Sequence, residues 1–167
     1  MVTRLPRMAL GIWCADCAPV LLADADAGVI GACHAGWRGA LAGIVDAIVR
    51  AMVREGARPN RIAAAIGPCI GFASYEVSED FAEPFLRQNP ENIRFFAAAA
   101  KAPKLRFDLP GYLGQALKAA GIGQVEILGF DTLADPERFF SFRRATLTGE
   151  PSAGRQLSAI ALAAPWG

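Results

Sequence analysis

The sequence predicts an α/β fold, an α+β mixed sheet with flanking helices, in one domain over residues 1–167. Short apolar runs alternate with amphipathic helical stretches, which is the pattern of mixed α and β structure. No internal repeat or low-complexity linker divides the chain. Its 167 residues match one domain of roughly 100–200.

Taken in order, Met8–Trp13 and Val20–Ala23 read as short buried strands, and Gly28–His34 as a third after the turn Asp24-Ala25-Asp26. One long helix is expected from about Trp37 to Glu55. Leu41, Ile44, Val45, Ile48, Val49 and Met52 fall on a single stripe, and Gly56 stands at the C-terminal cap. Ile62–Ile66 is a further strand, closed by Gly67-Pro68. Ser78 is placed to cap a helix over Glu79–Arg87 that Pro84 ends or kinks. Asp108 is placed to cap another, with Pro110 early and the stripe Leu109, Tyr112, Leu113, Ala116, Leu117 running to Gly121. Val125–Phe130 and Gln156–Ala163 complete the strands, and residues 88–107 and 131–154 read as long loops.

Composition narrows the function. Hydrophobic residues make up 53% and charged residues 20%, so the chain can bury a core and is not disordered. No apolar run approaches the ~20 residues of a membrane span. Two early arginines before apolar residues faintly suggest a signal peptide, but Asp16 and Pro19 interrupt the run and no cleavage pattern follows. A cytoplasmic location with reduced thiols is therefore expected for Cys14, Cys17, Cys33 and Cys69. The net charge of +1 carries no nucleic-acid footprint and favours a small-molecule partner. It leaves the oligomeric state, monomer or homodimer, open.

Three clusters hold residues with chemistry. Cys14-Ala15-Asp16-Cys17 is a Cys-x-x-Cys pair without the second pair of a zinc ribbon, and its plain reading is small buried cysteines at a strand end. His34, the single histidine, closes a strand and meets Ala35-Gly36-Trp37-Arg38-Gly39 at a helix entry, with its side chain opposite to that of Cys33. Its alternatives are a site residue or a buried imidazole bonded to a carbonyl. With Cys17 it forms either a nucleophile and its base or two zinc ligands. Arg143 and Arg144, within Phe139-Phe140-Ser141-Phe142-Arg143-Arg144, offer forked donors for phosphate or carboxylate, or simply a solvated loop charge. Gly67-Pro68-Cys69-Ile70-Gly71 lacks the Lys of a phosphate loop, and Cys69 reads as packing.

The order of these motifs resembles a known family. Ala15-Asp16-Cys17 with Pro19-Val20, then His34-Ala35-Gly36-Trp37-Arg38-Gly39, then Ile66-Gly67-Pro68-Cys69-Ile70-Gly71 with Tyr75-Glu76-Val77, then the aromatic–arginine segment and Gly154-Arg155, look like the laccase-domain family. That family is also called multicopper polyphenol oxidase and purine nucleoside phosphorylase, and some members are peptidoglycan-editing factors. The resemblance covers essentially the whole chain. It implies a fold distantly similar to the cytotoxic necrotizing factor-like cysteine hydrolases. It also implies zinc, or copper, held by Cys17, His34 and a further histidine that has no counterpart here. Cys14 stands where the family usually has threonine, and a substitute ligand role for it is conceivable. On this reading residues 1–167 are a laccase-type domain lacking its N-terminal segment, by shortening rather than by decay of the site, since Met1-Val2-Thr3 resembles an internal family segment.

The implied reaction is phosphorolysis of purine nucleosides, methylthioadenosine included, with adenosine deamination alongside. The partners would be a nucleoside and phosphate. Side-chain chemistry makes Arg38, Arg143 and Arg144 the anion binders and Asp16 the proton-handling or orienting group. The rivals are a metal-free Cys17/His34 hydrolase, a non-catalytic interaction module, and a polyphenol oxidase. The last fits worst, because multicopper centres are rich in histidine and this chain has one.

Overall fold

The computed structural model describes residues 1–100, 102–151 and 153–163. A five-stranded sheet forms its middle layer in the order β1 (Val2–Thr3), β4 (Val29–Ala35), β3 (Ala18–Asp24), β5 (Ala63–Ile66), β9 (Gln124–Ile127). All neighbours are antiparallel except β5 and β9. A two-stranded ribbon of β2 (Ala9–Cys14) and β10 (Gln156–Ala161) covers one face of that sheet. Helices cover the other, and a small sheet of β6 (Glu76–Ser78), β8 (Lys104–Phe107) and β7 (Phe96–Ala98) lies to the side.

β4 shows why its sequence is almost continuously apolar: both of its faces are covered. Val29, Cys33 and Ala35 pack toward the helices, while Ile30 and Ala32 pack with Leu10 and Ile12 of the ribbon. His34 shares the ribbon-side parity and is the one exposed residue of the strand, so it emerges at the ribbon's end as the alternation predicts.

The expected single helix over 37–55 is two. α1 (Trp37–Leu41) and α2 (Ile44–Arg54) meet at Gly43, whose φ of 81° lies in the left-handed region and interrupts the helical ladder. The apolar stripe survives the break, with Val45, Ile48, Val49 and Met52 buried. Gly56 closes α2 as expected. Its N–H donates to the Val53 carbonyl and that of Ala57 to the Met52 carbonyl, a Schellman pair. Asp108 caps α4 (Leu109–Ala119) by accepting from Gly111 N at 2.9 Å. Ser78 makes no side-chain cap bond. A 3-10 turn at Glu79–Ala82 leads into α3 (Glu83–Gln88), which starts just before Pro84, so the proline marks a kink.

Both expected long loops contain structure. Residues 88–107 hold a 3-10 helix (Pro90–Phe95) and the strands β7 and β8, and 131–154 hold α5 (Phe142–Thr148). These elements are too short for periodicity to register. α5 is fixed by Ser141, which accepts from Arg144 N at 3.1 Å.

Candidate active site

The β2–β3 turn, the β4–α1 junction and the start of α5 enclose a cavity of about 720 Å3. Its lining includes Asp16, Cys17, His34, Arg38, Arg143 and Arg155, so five of the six residues named from sequence converge there. Arg144 does not. Its guanidinium donates to the carbonyls of Thr132, Leu133 and Phe139, which fastens the 131–144 segment, and it takes no part in the cavity lining. Arginines adjacent on a short helix point in different directions, and sequence order alone does not say which one faces the cavity.

Backbone strain fixes the floor. Asp16 has φ +80°, unusual for a residue other than glycine. One of its carboxylate oxygens accepts from Thr132 Oγ1 at 2.7 Å and the other from Arg143 N at 2.6 Å. With both oxygens engaged, Asp16 is an orienting group that ties the turn to the start of α5. Arg143 Nη1 donates to the Glu76 carbonyl at 2.9 Å, and its guanidinium lies 5.6 Å from the Tyr75 ring centroid. Arg38 stacks over Trp37 at 4.5 Å.

His34 Nδ1 lies 3.2 Å from the Trp13 carbonyl. Donating there sets the tautomer and leaves Nε2 without a hydrogen-bond partner among the described residues, in a side chain that lines the cavity. The imidazole is therefore both carbonyl-bonded and exposed, combining the two alternatives drawn from sequence. Cys17 Sγ packs on Gly36, where an added Cβ would come within 2.9 Å of the sulfur, so glycine at the α1 N-cap makes room for the thiol. Burial, with the Asp16 carboxylate adding to it, pushes the Cys17 thiol up from its ordinary 9.0. Burial likewise lifts Cys14 to about 11, with Cys17 and Asp16 contributing, and Cys69 to about 12. Cys69 is packing, as expected.

Among the described residues, no group of three or more His, Cys, Asp or Glu side chains is arranged to hold a metal ion. Cys17 and His34 are two donors where catalytic zinc uses three protein ligands. Cys14 lines the cavity but does not complete a triad. The residues present thus fall short of a metal site by themselves.

Comparison with known proteins places the chain. A family model described as multi-copper polyphenol oxidoreductase laccase matches residues 1–163. The chain belongs to that family. This laccase-family domain is 37% identical to a purine nucleoside phosphorylase of Rickettsia conorii, over 96% of the chain and 66% of the relative. It is 35% identical to adenosine deaminase RL5 of an unknown prokaryotic organism, over 86% of the chain and 56% of the relative. A solved structure of Neisseria meningitidis protein NMB0706 superposes with a TM-score of 0.86 at 31% identity, covering 98% of the chain and 64% of the neighbour. The domain thus spans just under two thirds of the length of its relatives or less.

Two polar lining residues have no role that the sequence assigns. Arg155 and Tyr75 were legible only as parts of the motifs Gly154-Arg155 and Tyr75-Glu76-Val77. Their signal was position in the family series, since an arginine after a loop and a tyrosine before a strand are otherwise unremarked. No helix among the described residues is long and apolar enough to cross a membrane.

Proposed function

We propose that the chain acts as a purine nucleoside phosphorylase with accompanying adenosine deaminase activity, methylthioadenosine being among its nucleosides. The charge of the cavity carries this reading. Arg38, Arg143 and Arg155 line it beside His34 and Cys17, and the one carboxylate in its lining, Asp16, is occupied by Thr132 and the Arg143 backbone. Three guanidinium groups without a free carboxylate make a site for an oxyanion. The names of the relatives, phosphorylase and deaminase, supply the matching reactants.

In this mechanism the arginines hold inorganic phosphate and lower its electrostatic cost near the sugar. A phosphate oxygen bonds to C1′ as the C1′–N bond breaks, and the bonding pair leaves with the purine nitrogen. The products are ribose 1-phosphate and the free base. His34, its Nδ1 anchored on Trp13, presents Nε2 for the proton that the departing base or the phosphate exchanges. Asp16 keeps Arg143 at the cavity. Zinc, expected from the resemblance, would meet Cys17 and His34 as its donors. That pair is incomplete, so every step above rests on the chain's own side chains.

The metal-free hydrolase reading is weaker, because burial and Asp16 hold Cys17 as the protonated thiol rather than the nucleophilic thiolate. Incubation with inosine, with and without phosphate, tests the choice. Phosphate-dependent release of hypoxanthine and ribose 1-phosphate is expected. Base release that ignores phosphate and is abolished by iodoacetamide would establish the Cys17/His34 hydrolase instead.

A further inference from the structure

A second hollow of about 550 Å3 shares three walls with the cavity: Trp37, Tyr75 and Arg143. The rest of the two linings differs in chemistry. The cavity adds Cys17, His34, Arg38 and Arg155, whereas the hollow adds the apolar surfaces of Val77, Phe81 and Pro103. Ser78, Glu76 and Lys104 edge it, and Lys104 pairs with Glu76 at 3.7 Å.

The aromatic wall is set before any ligand arrives. The Trp37 and Phe81 rings lie 4.8 Å apart, and Phe81 packs in turn on Phe85 and Phe107 at 5.6 and 5.4 Å. Tyr75 is held by Phe81 and Phe107 at 6.0 and 5.8 Å. Rings so fixed lose little freedom when a flat molecule stacks on them. The Tyr75 phenol has no hydrogen-bond partner among the described residues. Burial, against the opposing pull of Arg143, lifts its pKa to about 12, so it stays a donor through the neutral range.

We propose that this second hollow receives the purine base while the arginine-lined cavity receives phosphate and sugar, which sets Arg143 at the boundary between the two reactants. The proposal rests on the phosphorylase reading and deepens it. A purine presents two flat faces and an edge of donors and acceptors. The hollow offers aromatic and apolar surface for the faces and Tyr75, Ser78 and Lys104 for the edge. Arg143, fixed on the Glu76 carbonyl and over Tyr75, touches both spaces and sits where the C1′–N bond would lie.

Calorimetric titration of hypoxanthine alone and of inorganic phosphate alone into the full chain tests the assignment. Ser78→Trp and, from the facing register position, Lys104→Trp fill the hollow from exposed sites outside the cavity. Either variant should melt like the wild type, weaken hypoxanthine at least about tenfold, the order of one stacking contact, and leave phosphate binding within about twofold. Unaltered hypoxanthine affinity in a folded filling variant overturns the base subsite. Loss of hypoxanthine binding in Phe142→Ala with full retention in Ser78→Trp overturns it too, since the base then lies against the exposed Phe142 ring of the first cavity. Phosphate binding without hypoxanthine binding in the wild type removes the subsite alone. Failure of both ligands to bind removes the phosphorylase reading itself.

Discussion

At the C-terminal end of β3, Asp24 is fully buried and accepts from Ala27 N, Arg58 N and the Arg61 guanidinium, which closes an ion pair at 3.1 Å. Just before the N-terminal end of the same strand, Asp16 is half-buried and also has both oxygens engaged, but by a hydroxyl and by the backbone of Arg143. One aspartate consumes its arginine's charge; the other takes only the arginine's N–H and leaves its guanidinium to the cavity. The difference teaches how one strand closes an ion pair at one end and leaves a guanidinium uncommitted to any carboxylate at the other. A neutralised pair closes the fold, whereas an arginine positioned through its backbone keeps its charge for a ligand.

The contrast breaks most visibly at the site end. His34→Ala should lower phosphorolysis about 10²–10⁴-fold, the range of a general acid–base residue. Its melting temperature should stay close to the wild type, because His34 is exposed. Steady-state kinetics with a parallel thermal melt measures both, and near-normal turnover would remove His34 from the chemistry.

At the closed end, Asp24→Asn should lower folding stability by about 1–3 kcal/mol, since an amide NH2 replaces one accepting oxygen and leaves donors of Ala27, Arg58 or Arg61 unmatched. Activity of the folded fraction should be unaffected, and urea unfolding followed by circular dichroism reads the loss. Burial alone would raise the Asp24 pKa, but the hydrogen bonds from Arg58, Ala27 and Arg61 overcome it and hold the carboxyl below its ordinary 3.8. The stabilisation it supplies is therefore complete above about pH 4 and is lost as the pH falls through the lowered value. The difference in stability between wild type and Asp24→Asn should shrink only in that acidic window.

The adjacent arginines repeat the comparison within one helix. Arg144→Ala should cost stability, about 1–2 kcal/mol, by releasing three carbonyls. Arg143→Ala should instead raise the phosphate KM about tenfold or more, as expected for loss of a charge-assisted contact. A phosphate KM that rises equally in both variants would sink the division of roles. Gly36→Ala tests the packing beside them, because its new methyl presses on the Cys17 sulfur at 2.9 Å. A shifted thiol reactivity, read with a chromogenic disulfide, should accompany a drop in stability of no more than about 1–3 kcal/mol.

Much of this molecule is legible in its sequence because local rules suffice. Strand alternation put His34 opposite Cys33, Gly56 closed α2 and Asp108 capped α4 for the reasons their residue types suggest. The motif order identified the family and with it Cys17 and His34, while side-chain chemistry singled out Asp16, Arg38 and Arg143, and all five line the cavity. Other features escaped local rules. Gly43 adopts a left-handed conformation that splits an otherwise continuous apolar stripe, and the three-stranded sheet of β6, β7 and β8 draws on segments too short to show a period. Only the tertiary structure decided that Arg143 faces the cavity while Arg144 ties down carbonyls, and that Tyr75 and Arg155 join the lining. The physical reason is common to all of these. Residue type and spacing determine what a side chain can do, but the direction it points is set by hydrogen bonds such as that of Asp16 with Arg143 N, whose partners lie 127 residues apart.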